Sequence, residues 1–204
     1  MRRAAFAVLT ALLLVVPAPT ASARDALVNA AVASVTQDGD VDVRFAWQVR
    51  RTNGPDVAAS NVAIATASCR SCRSAALAFQ IVLASRFSGD LRADNLALAR
   101  SDGCTRCETL AIAYQFVVTT KGQLQLAPGA RAKLAHIGNQ LRRLARQQAA
   151  TDVLEAKADL LAAKIRDVLA QQLTTRHIPG HTYMRRHVLS GPSAVAAPHR
   201  TSAR

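Results

Sequence analysis

The feature that most constrains this chain is a threefold internal repeat. Three segments open on an asparagine and close on an Ala-aromatic-Gln triplet: Asn29 to Ala46-Trp47-Gln48, Asn61 to Ala78-Phe79-Gln80, and Asn95 to Ala113-Tyr114-Gln115. The Asn-to-Gln separations are 19, 19 and 20 residues, so one supersecondary unit is used three times. In the closing halves Phe45, Trp47 and Val49 share one face, as do Leu77, Phe79 and Ile81, and Ile112, Tyr114 and Phe116. Small or polar residues take the other face, which is the period of a strand. The opening halves alternate as well, with Ala63, Ala65 and Ala67 opposing Val62, Ile64 and Thr66.

Between the halves of the first unit lies Thr36-Gln37-Asp38-Gly39-Asp40, and Asp-Gly is a strong signal for a tight hairpin. Each unit therefore reads as a β-hairpin. Residues 24–127 are expected to form an antiparallel β-sheet of three repeated hairpins, with a large-residue face and an alanine face, in an α+β fold. A helical repeat is the competing reading, because alanine also favours helix.

After Lys121-Gly122 the alternation Gln123-Leu124-Gln125-Leu126 predicts an edge strand. Pro128 then opens a helical pattern with Leu134, Ile137, Leu141 and Leu144 at 3/4 spacing. A second helix follows Asp152-x-x-Glu155 and carries Leu154, Leu161, Ile165 and Val168. Residues 128–173 thus form a helical hairpin whose apolar stripe packs on the sheet. From about 174 to 204 the chain has three prolines and no periodicity, a basic and largely disordered tail.

Arg2 and Arg3 precede the apolar run Ala4 to Val16, and Ala21-Ser22-Ala23 supplies a small-residue site. This is the layout of a secretory signal peptide over residues 1–23, with cleavage expected after Ala23. The run is too short to span a bilayer. The chain is expected to be secreted, with no transmembrane span after cleavage, in an oxidising place. Its 26 Lys+Arg against 13 Asp+Glu make it strongly basic. Arginine outnumbers lysine 22 to 4 in an alanine-rich chain, a bias that GC-rich codon usage explains without a ligand. The tail still offers a surface for an anionic wall polymer, a cell-envelope protein is the other expected partner, and nucleic acid is disfavoured.

Four cysteines fall in two C-x-x-C motifs, Cys69-Arg-Ser-Cys72 and Cys104-Thr-Arg-Cys107, where the first unit has its Asp-Gly turn. Positions i and i+3 of a β-turn are close enough for a disulfide, so each motif can close on itself. Such a loop contributes about 2 kcal/mol, against about 4 kcal/mol for a link from Cys69 to Cys104. In a meander Cys72 approaches Cys104, while Cys69 and Cys107 stand roughly 14 Å apart, three strand spacings. Export favours the disulfides Cys69–Cys72 and Cys104–Cys107. The competing reading is a zinc site of Cys69, Cys72, Cys104 and Cys107, since paired C-x-x-C turns are also the layout of zinc knuckles. A thiol-disulfide oxidoreductase is the third, weakened because a C-x-x-C of that kind sits at a helix N-terminus.

Other candidates read as structure. His177, His181 and His187 with Arg185 and Arg186 fit a metal or an anionic polymer, but more simply a solvated tail. Gln48, Gln80 and Gln115 fit a binding stripe, but more simply an amide ladder within the sheet. Arg142, Arg143 and Arg146 read as a wet helix face. Glutamate occurs only at Glu108 and Glu155, and no H-E-x-x-H, G-x-S-x-G or phosphate loop is present, so no hydrolase or nucleotide site is expected and no catalytic residue is assigned.

The units Asn61-Val-Ala-Ile-Ala…Cys69-x-x-Cys72…Ala-Phe-Gln-Ile-Val and Asn95-Leu-Ala-Leu-Ala…Cys104-x-x-Cys107…Ala-Tyr-Gln-Phe-Val-Val resemble an extracytoplasmic C-terminal domain of bacterial peptide zinc metalloprotease proteins. The resemblance covers about residues 25–173. In that family the peptidase chemistry belongs to an H-E-x-x-H membrane segment, and this sequence has no such motif. It implies an accessory domain whose transferable residues are the four cysteines. The expectation is a secreted, non-catalytic binding or structural module without a cofactor.

Overall fold

The computed structural model describes residues 26–174, 181–190 and 202–203. The expected signal peptide lies outside them. Six repeat strands are present: β1 Leu27–Val35, β2 Val41–Asn53, β3 Val57–Ala67, β4 Arg73–Ser85, β5 Leu91–Ser101 and β6 Glu108–Thr119. They do not form the antiparallel sheet of hairpins. The two strands of each unit go to different sheets, ordered β1-β3-β5 and β2-β4-β6, and within each sheet the repeats run parallel. Each unit is a β-arch, and three arches stack as coils of a short solenoid.

The register accounts for the correction. Asn29 lies beside Asn61 and Asn61 beside Asn95, while Gln48 lies beside Gln80 and Gln80 beside Gln115. Parallel stacking puts identical residues over one another and lets their side chains form ladders. Asn29 Nδ2 donates to Asn61 Oδ1 at 2.8 Å, and Asn61 Nδ2 to Asn95 Oδ1 at 2.8 Å. Gln115 Nε2 donates to Gln80 Oε1, and Gln80 Nε2 to Gln48 Oε1, both at 2.8 Å. The glutamines are thus an amide ladder, and the asparagines are a second. Both are inward-facing, and the amides are satisfied by the like residue of the neighbouring coil together with backbone carbonyls such as Phe79 O, Ala78 O and Leu27 O.

The two inner faces meet over alanine. Ala31, Ala33, Ala63, Ala65, Ala97 and Ala99 of one sheet pack against Ala76, Ala78, Ala111 and Ala113 of the other. The alanine face is thus an intersheet core, and beyond the amide ladders the same inner faces continue as a further buried cluster with Val57, Val82, Leu91 and Val117. The large-residue face of β2-β4-β6 carries the second core. Leu77, Phe79, Ile81, Ile112, Tyr114 and Phe116 are essentially inaccessible, and the rings of Trp47, Phe79 and Tyr114 follow one another across the sheet, with Phe79 and Tyr114 centroids 5.1 Å apart.

Helices α1 (Pro128–Arg146) and α2 (Thr151–Thr174) cover that face. Leu134, Ile137, Leu141 and Leu144 of α1 and Leu154, Leu161, Ile165 and Val168 of α2 are all buried in it. Gly138 lets α1 approach Trp47, since a β-carbon there would lie 2.9 Å from Trp47 Cε2. Tyr114 Oη donates to Asp159 Oδ1 on α2, joining the aromatic row to the helices. No helix among the described residues is long and apolar enough to cross a membrane.

The other regions differ from expectation. Gln123–Leu126 lies outside any strand; it connects β6 to α1. His181–Ser190, in the stretch without periodicity, is a strand, β7, that pairs antiparallel with β6. The short β8, Ser202–Ala203, pairs antiparallel with β5. Among the described residues β1 and β2 are the edge strands at one end of the stack, while at the other end β7 pairs along β6 and β8 reaches only Leu91 and Arg92 of β5. The outer face of β1-β3-β5 is uncovered among the described residues, with Val28 and Val32 each 56% exposed and Val62, Ile64, Leu96 and Leu98 half-buried beside them.

Candidate functional site

The arch turns stack by the same ladder as the strands. Gly39 N–H donates to Arg70 O at 2.9 Å, and Ser71 N–H to Thr105 O at 2.8 Å. Farther round, Arg73 N–H donates to Asp40 O and Glu108 N–H to Cys72 O, both at 2.9 Å. Gly39, Ser71 and Arg106 hold the same place in the three turns, and all three have positive φ, 79°, 52° and 58°. Only the first is the glycine that such a conformation favours. The other two sit third in each C-x-x-C, where the left-handed residue turns the fourth position back toward the first. The third turn has one residue more than the second; Gly103, with φ 59°, lies in this longer turn.

Stacked register brings all four cysteines together. Cys69 and Cys72 lie at disulfide distance with Cα atoms 6.1 Å apart, and Cys104 and Cys107 likewise at 5.7 Å. The four Sγ atoms all lie within 4.8 Å of one another. The meander geometry, with Cys72 nearest Cys104 and two cysteines far apart, is overturned: arches superpose like positions, so Cys72 Sγ meets Cys107 Sγ at 3.2 Å. Gln37 and Asp40 hold the cysteine positions in the first coil, which ends the sulfur column there.

The cluster closes one end of the intersheet core. Cys69 and Cys72 are 6% and 2% exposed and pack with Val35 and Ala67, while Cys104 and Cys107 are only partly buried. Cys107 Sγ also stands 2.8 Å from Cys69 O. Side chains of both signs rim the turns, Arg70, Arg73 and Arg106 with Asp38, Asp40, Asp102 and Glu108. Arg106 Nε donates to Ser71 Oγ at 3.2 Å, linking the two tips. Arg73 pairs with Glu108 at 3.1 Å and donates through Nη1 to Gln148 O and Ala149 O at 2.7 and 3.1 Å, which fastens the loop between the helices beside the cysteines. Arg73, Arg106 and Ser71 were not singled out in the sequence; the shared turn positions in the repeat were the available signal.

Chemically the site has two forms. As disulfides it is a pair of staples, one within each of two stacked turns. As thiolates the same four sulfurs could bind a metal ion, because tetrahedral zinc bonds sulfur at about 2.3 Å and therefore needs four sulfurs within a few ångströms of one another.

The remaining sequence candidates lie elsewhere. His177 is outside the described residues; His181 and His187 lie on β7 opposite Thr119 and Ala113, with Arg185 and Arg186 on the same strand. Gln48, Gln80 and Gln115 are intersheet. Arg142, Arg143 and Arg146 are exposed on α1. Comparison with known protein families, curated proteins and solved structures finds no match.

Proposed function

We propose that this is a secreted, non-catalytic binding or structural module: a three-coil solenoid clipped at its turn end by the disulfides Cys69–Cys72 and Cys104–Cys107. The observation that carries the reading is that each C-x-x-C falls at disulfide distance at the end of the alanine core. Each staple closes the turn of its own arch, β3 to β4 or β5 to β6, and keeps the two strands from splaying at that end of the core. The resemblance to an extracytoplasmic accessory domain and the signal-like N-terminus support placement outside the cytoplasm. The open apolar face of β1-β3-β5 supports the binding half, since parallel sheets are ordinarily covered on both faces. Intact mass and non-reducing peptide mapping of the exported protein test the clip; two disulfides within the motifs are expected, and four free thiols would sink it. Crosslinking to an envelope fraction, weakened by Val32→Lys and Ile64→Lys, tests the binding half, which falls if neither substitution alters association.

A second reading is a four-thiolate zinc protein, favoured by the convergence of all four sulfurs. Stoichiometric zinc in anaerobically purified protein supports it, and metal-free protein with two disulfides removes it.

A further inference from the structure

We infer that the two cysteine pairs are one exchange unit, in which the outer pair, Cys104–Cys107, passes reducing equivalents from an external dithiol to the buried pair, Cys69–Cys72, through Cys107. This rests on the disulfide reading of the site. It adds a reaction, a direction and a class of partner.

Three observations point the same way. The pairs differ in access, the inner one almost wholly buried and the outer one partly exposed. Within a cluster whose four sulfurs all lie within 4.8 Å of one another, Cys72 Sγ and Cys107 Sγ approach to 3.2 Å, inside ordinary nonbonded range. Cys107 is the sulfur that leans inward, 2.8 Å from Cys69 O. A staple needs none of these, since each four-residue loop closes on itself. Exchange needs a thiolate in contact with a disulfide sulfur and a leaving thiolate that can be accommodated.

The steps balance without another reactant. An external dithiol reduces Cys104–Cys107 and leaves as its disulfide, giving two thiols here. The Cys107 thiolate attacks Cys72 Sγ; the Cys72–Cys69 bond breaks, and Cys69 departs as a thiolate and takes up a proton. The Cys104 thiolate then attacks Cys107 Sγ, restoring Cys104–Cys107 and releasing Cys72, which is protonated in turn. Two electrons and two protons have moved from the surface pair to the buried pair. A second dithiol leaves all four thiols reduced.

The test compares two single variants, oxidised, acid-quenched, alkylated and mapped. In Cys104→Ser, Cys107 has lost its partner, and a Cys72–Cys107 peptide with alkylated Cys69 is expected as the major species. In Cys107→Ser the contact is removed, and Cys69–Cys72 is expected intact with Cys104 alkylated. An intact Cys69–Cys72 with alkylated Cys107 in Cys104→Ser would overturn the inference, as would equal exchange in both variants. Should either variant fail to fold, wild type treated with substoichiometric phosphine gives the same answer: singly reduced molecules must include the Cys72–Cys107 link, and their complete absence refutes it. Four free thiols in untreated wild type would instead refute the disulfide reading beneath it.

Discussion

Replacing Asn61 by alanine is the sharpest probe of the coil stack. Asn61 is fully buried and occupies the middle rung of the ladder. Its Nδ2 donates to Asn95 Oδ1 at 2.8 Å, Tyr114 O at 3.0 Å and Ala78 O at 3.1 Å, and its Oδ1 accepts from Asn29 Nδ2 at 2.8 Å. Two N–H bonds shared among three acceptors, with one accepted bond, amount to three hydrogen bonds. At about 1 kcal/mol each, Asn61→Ala should lose about 3 kcal/mol, since alanine leaves buried partners without replacing them. Asn29, on the open edge, makes two such bonds, to Asn61 Oδ1 and to Phe79 O at 3.2 Å; Asn29→Ala should lose about 1 to 2 kcal/mol on the same scale. Asn61→Asp keeps the shape but aims oxygen at oxygen. Its burial among acceptors raises the folded carboxyl pKa, so its deficit relative to wild type should shrink as the pH falls toward the unfolded value of about 4 and the group protonates. Urea unfolding of the oxidised proteins, followed by far-ultraviolet circular dichroism, measures all three. A loss under about 1 kcal/mol for Asn61→Ala, or one no larger than for Asn29→Ala, would show that the ladder does not hold the sheets together.

Reducing both disulfides of wild type should cost about 4 kcal/mol, about 2 for each four-residue loop, read from unfolding with and without phosphine; an unchanged midpoint would mean that the links are absent or do not constrain the unfolded chain. Ala65→Leu, at a position with no accessible surface between two alanine faces, should lose at least about 1 to 3 kcal/mol by overpacking, whereas Leu160→Ala, 59% exposed on α2, should stay within about 0.5 kcal/mol of wild type. Similar costs for the two would contradict the two-faced core. Gly138→Ala forces the single tryptophan, Trp47, away from α1, so its fluorescence should shift and stability should fall, overpacking of about 1 to 3 kcal/mol exceeding the helix gain of about 1; an unshifted spectrum would show that the ring is not in contact.

The amino-acid pattern alone determined where the six repeat strands and the two helices lie and that both C-x-x-C motifs occupy turns, but it placed an edge strand on Gln123–Leu126 that does not form and missed β7. Alternation over Phe45–Val49 and 3/4 spacing from Leu134 to Leu144 are local consequences of backbone period, so they survive without tertiary information. Tertiary structure decided which way each turn sends the chain. A hairpin and an arch share the same alternation and the same Asp-Gly turn, and differ only in whether the second strand bonds to the first or crosses to another sheet. The clue was non-local: Asn over Asn, Gln over Gln and alanine over alanine at near-constant spacing are satisfied together only when like strands lie side by side in parallel. The cysteine site follows from that choice. Each motif specifies its own loop, but the 3.2 Å approach of Cys72 to Cys107 exists because coil register places one turn directly over the next.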